Sequence, residues 1–250
     1  MEKEPPILQP GQPGETVRVS GLSNQEFLEK YAGLGRVGLV GGTTLIDKAI
    51  CRAERHLDEA AGWSCWSHAF VFQGPRLDGH QWVLESDLEI HRKHIRLGAQ
   101  ENRITKYFNE KLYTTLAVLD FGLVEAQGDR LVKEGLDLVA SRFHYSLREL
   151  MGTLMALRRP ALRAQENLLA RDRAFYCSAF VRHLFRQAGL DLAPGVADKH
   201  TTPEHLARTP VPHVTYLLQR EVARSAVRNL ASRVRRRVKA RIRLARRPAA

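Results

Sequence analysis

The stretch Phe175-Tyr176-Cys177-Ser178-Ala179-Phe180-Val181 decides how this chain of 250 residues is read. It opens an amphipathic helix in which Cys177 precedes Phe180 and Val181 by three and four positions, so the thiol shares their apolar side. The stripe continues through Leu184, Phe185 and Ala188, and Gly189 stands where helices end on a left-handed residue. A thiol at the start of a helix meets free backbone N–H groups and the positive end of the helix dipole, and both favour the thiolate. Free cysteine on a buried helix face is otherwise a packing residue. Chemistry at Cys177 therefore needs a base beside it.

Ser67-His68-Ala69-Phe70-Val71-Phe72 supplies the candidate base. Strand alternation puts His68 on the face of Phe70 and Phe72, with Ala69 and Val71 on the other. A lone histidine among apolar residues is ordinarily a hydrogen-bonded core residue. Pro75 to Gly79 reads as a turn, and Gln81 to Ser86 pairs back as a hairpin. That places Glu85, at the end of Trp82-Val83-Leu84-Glu85, within reach of the His68 strand. An acid there commonly marks the solvent boundary, but it can also accept the second imidazole N–H and fix the tautomer. Asp87 and Glu89 are less well placed for that role.

The other signals are weaker. Cys65 lies between Trp63 and Trp66 without a helix start and reads as packing. Cys51, Cys65 and Cys177 have no Cys-x-x-Cys spacing, which points away from a disulfide scaffold and from structural zinc and suits a reducing cytoplasm. Gly41-Gly42-Thr43-Thr44 reads as a turn and lacks the Gly-Lys-Ser/Thr of a phosphate-binding loop. His91-Arg92-Lys93-His94 reads as a solvated loop. Neither a metal nor a cofactor is expected.

Further helices are expected over 24–33, 45–59, 130–142 and 147–157, and further strands over 36–40 and 114–121. Thr202-Pro203-Glu204 reads as a helix start, with Thr202 as N-cap and Pro203 in the first position. Residues 1–20, with Pro5, Pro6, Pro10, Pro13, Gly11 and Gly14, read as a flexible leader. The formal net charge of +12 is concentrated at the other end. Residues 220–250 hold twelve Lys and Arg against one acid, Glu221, so the rest of the chain carries about +1. If helical, this tail sets Val227, Leu230, Val234 and Val238 on one stripe and its arginines elsewhere. That suits an anionic membrane surface, with nucleic acid as the runner-up partner. The expected divisions are a leader over 1–30, a main domain over 31–218 and a basic tail over 219–250.

The ordered set Gly38-Leu39-Val40, Ser67-His68-Ala69, Val83-Leu84-Glu85, Tyr176-Cys177-Ser178, Ala188-Gly189 and Thr202-Pro203-Glu204-His205-Leu206 resembles the circularly permuted NlpC-type papain-like cysteine hydrolases, the YiiX/YebB-like group. The resemblance covers roughly residues 34–215. It implies an α+β papain-like fold, with a small, mostly antiparallel sheet packed against helices. It also implies Cys177 as nucleophile, His68 as base and Glu85 as third member. The activity it implies is thiol-dependent hydrolysis of a peptide amide, isopeptide or ester. The alternatives are a lipid acyltransferase or deacylase at a membrane surface, and a non-catalytic binding protein on the same scaffold. The chain departs from the family pattern at Ala179, where an acid often follows the Cys-Ser pair, and in the long Arg-rich segment from Phe143 to Asp172.

Overall fold

The computed structural model describes residues 14–54, 64–90, 95–141, 166–198 and 201–220. They form one α+β body built on a seven-stranded sheet. In chain order the elements are β1 (Glu15–Val19), α1 (Asn24–Tyr31), β2 (Val37–Gly42), α2 (Leu45–Ala53), β3 (His68–Pro75), β4 (Gln81–Ile90) and β5 (Ile95–Arg103). A 3-10 turn (Ile104–Tyr107), β6 (Tyr113–Asp120), α3 (Glu125–Ala140), α4 (Glu166–Gln187), α5 (Pro203–Ala207) and β7 (Val214–Gln219) follow. The strand order is β1-β7-β6-β2-β3-β4-β5, antiparallel throughout except for the parallel edge pair β1 and β7.

Alternation divides the side chains into two cores. On one face Val37, Leu39, Ala69, Val71, Leu84, Ala117 and Leu119 pack against Leu131 of α3 and the α4 stripe of Cys177, Val181, Leu184 and Phe185. On the other, Val40, Phe70, Phe72, Val83, Leu116 and Val118 pack against Phe27 and Leu28 of α1 and against Ile104 and Tyr107 of the 3-10 turn. Gly38 lies opposite Phe70 in the β2–β3 ladder, and a Cβ there would come within 2.1 Å of the Phe70 ring. The missing side chain lets Phe70 lie across β2 and stack on Tyr107, with ring centroids 4.6 Å apart.

Helix ends follow the residues expected to make them. Gly189 adopts φ +85°, and Gly189 N–H and Leu190 N–H return to the carbonyls of Arg186 and Phe185. This is the paired bonding that closes a helix on a left-handed glycine. Thr202 caps α5 reciprocally with His205, and Pro203 takes the first helical position.

Four expectations are corrected. Residues 15–19 do not belong to a flexible leader: they pair with β7 as an edge strand. Nor is α1 an appendage, since Asn24, Phe27 and Leu28 are all buried. Gly41-Gly42 is not a turn but the end of β2, with a bulge between the two residues. A Cβ at Gly41 would stand 2.2 Å from the Cys65 carbonyl, so glycine serves close approach there. Finally, α4 begins at Glu166, so Cys177 lies in the helix interior and not at its N-terminus. Residues 166–174 are helix formers without an apolar stripe, and periodicity alone starts the helix where the stripe starts. The expected helix over 147–157, the loop 91–94 and the basic tail lie outside the described residues.

Candidate functional site

The β3–β4 ladder ends at Val71↔Leu84, although both strands run on, β3 back to His68 and β4 forward to Ile90. The opening between them holds the candidate site. His68 is the first residue of β3, so its ring stands where the sheet stops separating its two faces. The Cys177 thiol, which belongs to the opposite core layer, stands near enough to raise the proton affinity of the ring. His68 Nε2 lies 2.6 Å from Glu85 Oε2, leaving Nδ1 for the sulfur. The structure thus brings together the three residues read from the sequence. Cys177 and Glu85 are fully buried and His68 is 8% exposed.

Glu85 is held by more than histidine. Asn102 Nδ2 donates to Oε1 at 2.6 Å, Lys106 Nζ donates to Oε1 at 2.7 Å, and the Tyr107 hydroxyl donates to Oε2. Lys106 Nζ also bonds Asp87 Oδ2 at 2.9 Å. Strand register explains Asn102: it pairs with Val83, so it is the diagonal neighbour of Glu85 on one face. The 3-10 turn brings in Lys106 and Tyr107, and Asn24 anchors that turn by donating to the carbonyls of Tyr107 and Tyr113 at 3.0 and 2.9 Å.

The electrostatics follow from these contacts. Burial works against a charged His68 ring, but the Cys177 sulfur, Asp87 and Glu85 outweigh it and lift the ring to about 10. Burial also penalises the Glu85 carboxylate, yet the Lys106 ammonium and the His68 ring hold it down at about 2. Desolvation alone would neutralise Lys106, and the carboxylates of Glu85 and Asp87 reverse this and raise it. Tyr107 is kept protonated by burial and by the two carboxylates. The arrangement is a buried cation–anion chain that ends on the thiol.

Asp87 serves the site by bonding Lys106 and by raising the His68 ring through its charge. Cys51 is buried, donates to the Trp66 carbonyl at 3.2 Å, and is pushed up to about 12 by burial. Cys65 is partly buried and packs against the helix-side core. Among the described residues, His68, Glu85 and Asp87 place three potential metal ligand atoms within 4.8 Å of one another. The Lys106 ammonium already bridges the two carboxylates, and a divalent cation there would face it at close range. The donor set fits the lysine.

Asn102, Lys106, Tyr107 and Asn24 were not legible as site residues. Their roles depend on β5 and on the 3-10 turn, and neither carries a periodic signal long enough to read. The alternation Val83-Leu84-Glu85 against Gln100-Glu101-Asn102 would have placed Asn102 had β5 been paired with β4 from sequence.

No protein family's sequence profile matches the chain, and no curated protein is similar to it. The structure is similar to that of the metalloprotein yiiX from Escherichia coli O157:H7, with 13% identity, a TM-score of 0.46, and 74% of this chain and 96% of that one covered.

Proposed function

We propose that the protein is a thiol-dependent hydrolase of amide, isopeptide or ester bonds, with Cys177, His68 and Glu85 as its reacting residues on a permuted papain-like arrangement. The observation that carries this reading is the buried His68 ring, bonded to Glu85 Oε2 at 2.6 Å and raised by the Cys177 sulfur near it. A nucleophile beside a base, with that base bonded to an orienting acid, is the constellation acyl transfer requires.

In this mechanism the charged His68 ring stabilises the Cys177 thiolate. The sulfur attacks the carbonyl carbon, and the His68 proton passes to the departing amine or alcohol. The neutral ring then takes a proton from water, whose oxygen attacks the thioester and releases the acid. Glu85 keeps Nε2 protonated and the ring turned so that Nδ1 faces the sulfur. Asn102, Lys106 and Tyr107 keep Glu85 ionised and fixed.

The test uses full-length protein and p-nitrophenyl butyrate. Hydrolysis with a butyryl group trapped on Cys177, lost in Cys177→Ala and reduced about 10²-fold or more in His68→Ala, is the expected result. Hydrolysis undiminished in Cys177→Ala would remove the proposal.

A further inference from the structure

The hydrolase reading leaves one requirement unmet. Negative charge develops on the carbonyl oxygen as the sulfur attacks, and hydrogen-bond donors must receive it. A helix N-terminus would have offered free N–H groups, but Cys177 is in the interior of α4. There the backbone N–H groups are committed to carbonyls one turn back. The Ser178 hydroxyl is 3.7 Å from Cys177 Sγ, too distant for more than a weak contact with the sulfur.

One buried polar group beside the thiol has no hydrogen-bond partner. Glu54 follows α2, which packs on α4, and it is 3% exposed. Among the described residues, neither of its carboxyl oxygens has a hydrogen-bond partner. The Ser64 and Thr202 hydroxyls stand near, but neither closes a hydrogen bond of normal geometry on it. Among the described residues, the titratable groups near it are Cys177 of α4, Glu204 of α5 and Cys51 of α2. None of these is a cation. The buried Arg182 holds that corner in place, bonding Asp191 bidentately at 2.6 and 2.9 Å and Thr201 at 3.0 Å, so α4 and the residues leading into α5 stay together.

Resting on the hydrolase reading above, we propose that Glu54 is the hydrogen-bond donor to the substrate carbonyl oxygen during attack at Cys177. Burial, with Glu204 and the Cys177 sulfur nearby, pushes its carboxyl well above the ordinary carboxylate range and so favours the form that carries an O–H. A neutral buried acid receives a developing oxyanion, whereas an ionised one would repel it. In the step itself the Sγ–C bond forms and the carbonyl π pair moves onto oxygen. That oxygen accepts the Glu54 O–H hydrogen bond without taking the proton. On collapse the pair returns, the bond to the leaving group breaks, and His68 gives that group its proton. An orphaned buried carboxyl is costly in the resting protein, and the substrate oxygen is the partner it lacks.

The experiment compares Glu54→Ala, Glu54→Gln and wild type, in two reactions of the full chain: hydrolysis of p-nitrophenyl butyrate, and alkylation of Cys177 by iodoacetamide. Alkylation forms no oxyanion. Glu54→Ala should lower kcat about 10²–10³-fold with KM changed less than about threefold, while Cys177 alkylation stays within about twofold. Glu54→Gln keeps an N–H donor that cannot ionise. It should hold kcat within about tenfold of wild type and lack the alkaline fall that Glu54 ionisation imposes on wild type. Undiminished kcat in Glu54→Ala overturns the inference, and so does an alkaline fall unchanged in Glu54→Gln. Alkylation accelerated in either variant also overturns it, because that means a negative charge was removed. Should Glu54→Ala not fold, the isosteric Glu54→Gln and its pH profile decide. Wild type without Cys177-dependent hydrolysis brings down the hydrolase reading and the Glu54 role together; active wild type beside equally active Glu54→Ala brings down only the latter.

Discussion

At the scale of single residues, the three cysteines occupy three different electrostatic settings. Cys51 is pushed up to about 12 and is held on a carbonyl, Cys65 is partly buried, and Cys177 is enclosed beside a charged imidazole. Thiolate, not thiol, reacts with alkylating agents. At pH 7 iodoacetamide should therefore label Cys177 first despite its burial and Cys51 last, and His68→Ala should slow labelling of Cys177. Peptide mapping of a time course checks the order, and labelling that follows exposure alone would count against His68 as the partner of Cys177. Glu85 gives a prediction in pH. Its carboxyl lies at about 2 in the folded protein against an ordinary 4.5, so the stabilisation it contributes is complete above 4.5 and is lost as pH falls towards and through 2. Glu85→Gln should flatten that part of the acid unfolding curve. Lys106→Met should go the other way at neutral pH, costing about 3–5 kcal/mol in denaturant unfolding, because it leaves Glu85 and Asp87 buried without their cation.

At the scale of elements, the site depends on a turn that the sequence barely announces. Asn24, at the start of α1, donates to two carbonyls around Ile104–Tyr107 and Tyr113 and so fixes the turn that carries Lys106 and Tyr107. Asn24→Ala leaves the buried Tyr107 carbonyl and the partly buried Tyr113 carbonyl without that donor and should destabilise the protein by about 1–3 kcal/mol. If the turn is what positions Glu85, the same variant should lower Cys177 alkylation as well as the melting temperature. A fall in melting temperature with unchanged alkylation would separate the anchor from the site. The legible elements include α1, β2, α2, β3, β4, β6, most of α3 and the apolar part of α4. The strands β1, β5 and β7 were not. β1 and β7 are short and β7 is half-exposed along much of its length, so neither shows a strong alternation.

At the scale of the whole molecule, the two ends of the chain differ in what they do for the fold. Residues 15–19 close one edge of the sheet by pairing with β7. Removing residues 1–20 exposes the β7 edge and should lower the melting temperature and promote self-association, measured by thermal unfolding and light scattering. The basic run 220–250 carries +11 and is proposed to hold an anionic surface. Co-sedimentation with anionic liposomes and with an oligonucleotide, with and without residues 220–250, tests this. Lipid binding should keep a salt-resistant part contributed by Val227, Leu230, Val234 and Val238, whereas nucleic-acid binding should fall steeply with salt. Equal binding by the truncated chain would make the run a solubilising extension. Among the described residues no helix is long and apolar enough to cross a membrane.

What the sequence determined by itself is what a local pattern can encode. The α4 stripe from Cys177 to Ala188, its glycine stop, the Thr202-Pro203 start of α5, and the hairpin carrying His68 and Glu85 all follow from residue spacing and backbone preference. Even the pairing of the strands bearing His68 and Glu85 was accessible, because hairpin neighbours are close in the chain. Only the tertiary structure decided the rest. That Cys177 lies inside its helix depends on residues whose helicity has no apolar signature. That Lys106, Asn102 and Tyr107 converge on Glu85 depends on the register of β5 and the turn that follows it. That Glu54 is buried without a hydrogen-bond partner beside the thiol depends on α2 packing against α4. Periodicity says which face of an element is buried; it carries no information on which other element covers that face. The charges of this site are set by those long-range neighbours, because burial and partner identity, not residue type, move a proton on or off a side chain.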